Sequence, residues 1–119
     1  MENFAILSGY ITNDPETKTI PSGKTVIDFT LSVYAKFKKD GDKKHVSFFN
    51  CTYWPQEKPE GNIQREVAKL VKGLPVVFKA EPIQERWEKE GQKNSMVKWN
   101  VEGWVEVLKR PEKADDCPF

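Results

Sequence analysis

Few residues in this 119-residue chain could carry covalent chemistry. There is one histidine, His45, and two cysteines, Cys51 and Cys117, which fit neither a zinc spacing nor a disulfide framework. No Ser/His/Asp set and no glycine-rich phosphate loop is present, and the paired acids Asp115-Asp116 stand in a tail that fixes no geometry. The reading is a non-enzyme without metal or cofactor. What the sequence does offer is aromatic rings at positions where a strand meeting water should be polar. From His45 to Trp54 the odd positions Phe49, Cys51 and Tyr53 form a core face, so Phe48, Asn50, Thr52 and Trp54 share the opposite face. Trp87, in the charged stretch QERWEKEG, has no apolar neighbours. Flat rings along a groove stack on nucleobases at about 1–3 kcal/mol each. Lys36, Lys38, Lys39, Lys43 and Lys44, on a turn centred on Asp40-Gly41, could hold the phosphates. The same features fit other uses: outward rings also serve a subunit interface, a seat under a helix or a second layer of core, and lysine-rich tips are commonly just solvated. Trp104, between Glu102 and Glu106 in parity, suits an interface better than a base platform, and Trp99 suits the core.

These residues must be positioned by strands. The pattern is mostly of period two with turn residues at short intervals, which predicts a small all-β barrel or sandwich. Phe4 to Ile11 reads as a first strand, followed by a turn rich in breakers, Asn13-Asp14-Pro15 and then Pro21-Ser22-Gly23. Ile27, Phe29, Leu31, Val33 and Ala35 alternate with Asp28, Thr30, Ser32 and Tyr34 as a half-buried second strand, and His45 to Trp54 is the third. Asn62 to Lys72 predicts a helix, with Ile63, Val67, Leu70 and Val71 on its apolar side, Asn62 as cap and Gly73 as stop. Leu74 to Glu81 and Met96 to Lys109 predict two more strands, with a polar excursion, Glu88 to Ser95, at the hairpin between them. In the last strand Val97, Trp99, Val101, Val105 and Val107 share one face. Five strands with one helix between the third and fourth is the OB-fold arrangement, a Greek-key barrel.

The charge is uneven. The net is +1, but residues 1–110 hold 18 Lys/Arg against 15 Asp/Glu and residues 111–119 one Lys against three acids. A mildly basic domain, 1–110, and a short acidic tail, 111–119, follow. No apolar run is long enough to span a membrane and no secretion signal opens the chain, so a cytoplasmic, nucleoid-associated protein without membrane contact is expected.

Six segments in order carry a family resemblance. They are Gly9-Tyr10-Ile11 with Asp14-Pro15-Glu16; Pro21-Ser22-Gly23 with Val26, Phe29 and Leu31; Phe48-Phe49-Asn50-Cys51 with Trp54; Leu70 with Lys72-Gly73; Arg86-Trp87; and Asp115-Asp116-Cys117-Pro118-Phe119. Together they resemble the bacterial-type single-stranded DNA-binding proteins. The resemblance implies an OB-fold homotetramer that coats single-stranded DNA in replication, recombination and repair. It implies base stacking by Phe37, Phe48, Trp54 and Trp87, although strict alternation puts Phe37 on the core face unless a bulge near Ala35 re-aims it. It also implies phosphate contacts by Lys72 and Arg86, with Lys36, Lys38, Lys39, Lys43 and Lys44 as a looser match. Replication and repair proteins would dock on the tip formed by Asp115, Asp116, Cys117, Pro118 and Phe119. Departures are a slightly acidic start at Met1-Glu2-Asn3, a proline- and charge-rich insert from Pro55 to Gly61, and the missing glycine- or glutamine-rich linker before the tip.

Overall fold

The alternating apolar positions resolve into strands in the computed structural model, which describes residues 1–34 and 46–108. These are β1 (Ala5–Ile11), β2 (Glu16–Thr19), β3 (Thr25–Tyr34), β4 (Val46–Tyr53), β5 (Pro75–Lys89) and β6 (Gln92–Val107). A single 3-10 turn (Pro55–Glu57) and one helix, α1 (Ile63–Ala68), lie between β4 and β5. The sheet order is β1-β5-β6-β4-β3-β2, and β1 pairs with β3 as well, so five strands close on themselves. All pairings are antiparallel except that of β4 with β6. This is the OB-fold barrel, with α1 between its third and fourth barrel strands. No helix among the described residues is long and apolar enough to cross a membrane.

The inward positions make one core: Leu7, Ile11, Ile27, Phe29, Leu31, Cys51, Tyr53, Leu70, Val76, Phe78, Ala80, Val101 and Val105 are buried together. Phe29 and Phe78 meet edge to face at 5.6 Å, a favourable aromatic geometry. Closure depends on a glycine. A Cβ on Gly9 would come within 2.2 Å of the Ser32 carbonyl oxygen, so β1 can cross β3 only where that side chain is missing. The loop after α1 completes the seam: the Gly73 N–H donates to Ile11 O at 2.8 Å, and the Lys72 N–H donates to Asp14 Oδ1 at 3.1 Å. Several of the family-like residues, Gly9, Asp14, Lys72 and Gly73 among them, therefore join the ends of the barrel.

Four expectations are corrected. Glu16–Thr19, read as turn, is a short strand that pairs with the start of β3, because the reversal is confined to Pro21-Ser22-Gly23. The helix ends at Ala68, not Lys72. Leu70 must drop into the core, and Lys69 and Leu70 N–H groups bond carbonyls only three residues back, tightening the last turn; Val71 is left exposed. Glu88 to Ser95 is not an excursion. β5 and β6 remain paired to Lys89↔Gln92 and reverse over Glu90-Gly91, both at positive φ (52° and 80°), which matches the twist of a two-residue hairpin. Finally, Val97 shares the inward parity of Trp99 and Val101, yet it is exposed because the hairpin projects past the core as a two-stranded ribbon; Val107, at the other end of β6, is also exposed.

Candidate nucleic-acid interface

Strand parity places the outward residues on one face. Across β3 and β4 the register pairs Asp28↔Thr52, Thr30↔Asn50 and Ser32↔Phe48. The parallel pairing sets Thr52 beside Asn100 on β6, and β6 in turn sets Asn100 opposite Glu81, Lys98 opposite Ile83, Met96 opposite Glu85 and Asn94 opposite Trp87. Trp54, two residues beyond Thr52, belongs to the same face. One continuous outer surface thus runs from Trp54 across Asn50 and Phe48 to the ribbon and Trp87. A groove of about 370 Å³ lies in its middle, lined by Lys18, Asp28, Thr30, Asn50, Met96 and Lys98.

The rings differ in exposure. Phe48 is 62% exposed and Trp87 45%, while Trp54 is half-buried. Phe49, on the inward side of β4, packs on Trp99 at 5.8 Å, so Trp99 is a core ring as expected. Thr52, although on the outer face, is buried and donates to Asp28 Oδ1 at 2.9 Å, which ties β4 to β3 beneath the groove. Trp104 is 40% exposed, with the Lys69 ammonium 5.6 Å from its ring centre.

The cations on the face are already engaged: Lys18 pairs with Asp28 at 3.3 Å and Lys98 with Glu85 at 3.4 Å. Both pairs are solvated and individually weak, so a phosphate can exchange for either carboxylate. Lys72 is exposed, and its bond to Asp14, a groove-lining residue, brings it to the groove's border. Arg86 has the parity opposite to Trp87 and donates to Gln84 at 3.0 Å, yet both residues line one cavity on the ribbon with Gln84, Lys93 and Asn94. Phe37, Lys36, Lys38, Lys39, Lys43, Lys44 and the tip residues Asp115 to Phe119 lie outside the described residues.

The basic character of residues 1–110 is local. Residues 35–45, with five lysines and two aspartates, hold the whole positive surplus of residues 1–110, since the rest of that span balances at thirteen Lys/Arg against thirteen Asp/Glu. Sequence reasoning missed Met96, Lys98, Asn100 and Glu81 on the outer face, because their parity becomes meaningful only once β6 is registered against β4 and β5. It also missed Glu66, buried at 1% exposure, which accepts from Tyr53 Oη at 2.5 Å and pairs with Lys69 at 3.0 Å. Helical spacing from Ile63 and Leu70 would have pointed it inward. Burial, reinforced by Glu66, raises the Tyr53 phenol above its ordinary range, and burial alone pushes the Cys51 thiol up to about 12. Cys51 is therefore a packing residue, not a nucleophile.

The barrel and its ring-bearing face together define an OB-fold binding module. The model of the Single-strand binding protein family matches residues 2–108, and the chain belongs to that family. It is 32% identical over 117 residues to the single-stranded DNA-binding protein of Aquifex aeolicus (strain VF5), across 97% of this chain and 76% of that one. It is 31% identical over 122 residues to the single-stranded DNA-binding protein of Treponema pallidum (strain Nichols), across 98% of this chain and 66% of that one. Among solved structures, the Plasmodium falciparum SSB complex with ssDNA superposes with a TM-score of 0.73 at 18% identity, covering 92% of this chain and 96% of that one; that likeness establishes the fold.

Proposed function

We propose that this chain binds single-stranded DNA, largely independent of sequence, by stacking unpaired bases on Phe48, Trp54 and Trp87, with no chemical step. The observation that carries the reading is the common face: strand register brings together rings that are far apart in the chain. Duplex DNA hides its base faces within the stack, so open rings select single strands. Lys18 and Lys98 flank the path, Lys72 borders it, and the lysines of residues 36–44 supply the excess positive charge that the remainder lacks. Arg86, which lines the same ribbon cavity as Trp87, would hold a phosphate beside the stacked base.

The test is fluorescence titration with oligo-dT. Strong tryptophan quenching that weakens with salt is the expected result. Unchanged emission would favour the other reading, an OB-fold protein-interaction subunit. Competition with an RNA strand of equal length checks the choice of DNA.

Further parts of the proposal rest on sequence. Residues 1–110 form the DNA-binding domain and 111–119 the tail, whose Asp115-to-Phe119 tip recruits replication and repair proteins while the domain protects the strand. Self-association, expected as a homotetramer, is supported by exposed Ile6 on β1 and exposed Phe4 just before it, away from the groove. Sedimentation would settle the number of subunits, and deletion of the tip should spare DNA binding while abolishing recruitment.

A further inference from the structure

We infer that the single-strand path does not end at Trp54 but continues to a further stacking site, where Trp104 takes an unpaired base of any identity and Lys58 and Arg65 hold the flanking phosphates. This deepens the single-strand-binding reading and rests on it. Two neighbouring cavities mark the continuation. The first, about 430 Å³, lies beside Trp54, and its lining includes Lys58, Glu102 and Gly103. The second, about 210 Å³, is lined by Pro59, Glu60, Arg65, Glu66, Lys69 and Trp104. Consecutive residues wall both, since Lys58 leads into Pro59 and Gly103 into Trp104. Gly103, at φ 74°, leaves that wall open, because a Cβ there would meet nothing within 4 Å.

The insert from Pro55 to Gly61 supplies the link. It is folded tightly: the Lys58 N–H donates to Pro55 O and the Gly61 N–H to Lys58 O, both at 3.1 Å. A Cβ on Gly61 would come within 1.9 Å of Pro55 O, so the turn needs that glycine. Lys58 is thereby held at the rim, with its ammonium 5.7 Å from the Tyr53 ring centre. The helix supplies the other cations. Arg65, in α1, and Lys69, which caps it, are four residues apart and share a side. Arg65 donates to Glu60 O at 2.8 Å, and the Lys69 ammonium stands over the Trp104 ring at a cation–π distance. Neither Lys58 nor Arg65 pairs with a carboxylate among the described residues.

Most acids along this route are committed. Glu57 pairs with Lys24 at 3.0 Å, Glu102 with Lys79 at 3.5 Å, and buried Glu66 with Lys69 at 3.0 Å. Glu106, which flanks Trp104 in parity as Glu102 does, lines neither cavity. Glu60 and Glu81 have no ion pair among the described residues, and Lys58 and Arg65 match them in number. The route is therefore near neutral, and its attraction for a strand comes mainly from stacking on a ring that is 40% exposed. Every base has such a face, so the added contact is as tolerant of sequence as those at Phe48, Trp54 and Trp87.

The experiment titrates the full chain with oligo-dT of increasing length, followed by tryptophan fluorescence, with sedimentation and a thermal melt of each variant. Strands too short to pass Trp54 should bind wild type and Trp104→Ala alike. Long strands should bind Trp104→Ala about fivefold to 150-fold more weakly, the loss of one stacked base. Lys58→Gln with Arg65→Gln, which leaves every ring in place, should lower the log–log salt slope by about 1.4 with long strands only. Equal binding of long strands by wild type and Trp104→Ala, or an equal loss at every length, overturns the further site. So does an unchanged salt slope in the double variant. A fall in subunit number in Trp104→Ala with long-strand affinity kept also overturns it, and assigns the ring to an interface between copies. In each case the reading of Phe48, Trp54 and Trp87 stands. If wild type binds no strand of any length, both readings fall.

Discussion

Trp87 and Tyr53 show how differently two aromatic residues can be used within one small barrel. Trp87 is nearly half exposed on a ribbon with no core beneath it, so its ring contributes little to folding. Trp87→Ala should cost about 1–3 kcal/mol of oligo-dT affinity and leave the melting temperature close to wild type. An unchanged dissociation constant would remove Trp87 from the interface. Tyr53 is fully buried, and its hydroxyl is one of two partners that make buried Glu66 tolerable. Tyr53→Phe should lower stability by about 1–3 kcal/mol, the cost of leaving a buried polar group short of a partner. The same residue sets an alkaline limit. Burial raises both Tyr53 and Cys51, the latter from 9.0 to about 12, so the folded chain keeps protons that the unfolded chain loses. Their contribution is complete below pH 9 and declines as pH rises through and above the unfolded values. Urea unfolding from pH 8 to 11 should show that decline, with a shallower fall above pH 10 in Tyr53→Phe. An identical slope in the variant would exclude Tyr53 as the titrating group.

At the scale of elements, the ribbon built from β5 and β6 carries function at little expense to the fold. Its tip turns on Glu90-Gly91, both left-handed, where a side chain costs about 1–2 kcal/mol. Gly91→Ala should disorder the tip and weaken DNA binding through Trp87. The barrel, whose core lies elsewhere, should keep its melting temperature to within a few degrees. A large loss of thermal stability in this variant would mean that the ribbon belongs to the folding core. β4 works the other way, since its inward residues Cys51 and Tyr53 are core while Phe48 and Asn50 on its outer side are exposed. One strand thus couples the interface to the most buried layer, and the Thr52–Asp28 bond fixes its position against β3.

At the scale of the whole molecule, closure and charge set the behaviour. Barrel closure needs β1 to cross β3 at Gly9, where the obstructing atom for any side chain is a backbone oxygen that cannot move aside. Gly9→Ala should therefore destabilise the protein by about 3 kcal/mol, the upper part of the overpacking range. A melt like that of wild type would show that the seam can give. With the rest of residues 1–110 balanced in charge, the salt dependence of binding should come chiefly from the lysines of residues 36–44. Lys43→Gln with Lys44→Gln should reduce the log–log salt slope by about 1.4, two phosphates' share for a single strand. A slope equal to wild type would assign the phosphate contacts to other cations.

The amino-acid sequence by itself determined which residues would be inside and which rings would be left out. Period-two alternation is a local property of each strand, so Phe49, Cys51 and Tyr53 separate from Phe48 and Trp54 without any knowledge of neighbours. The order of strands and the place of the helix, together with turn residues at Pro21-Ser22-Gly23, were enough to indicate the barrel. The length of the hairpin and the early end of α1 were not legible. Polar alternation in Glu88 to Ser95 reads the same in a loop as in a ribbon exposed on both sides, and a helix stops where Leu70 must meet a core that other segments build. Only the tertiary structure decided that the face bearing Phe48 and Trp54 also carries Trp87, Lys98, Asn100 and Glu81. Those relations depend on register between strands up to half the chain apart, and a shift of one residue would turn every side chain to the other face.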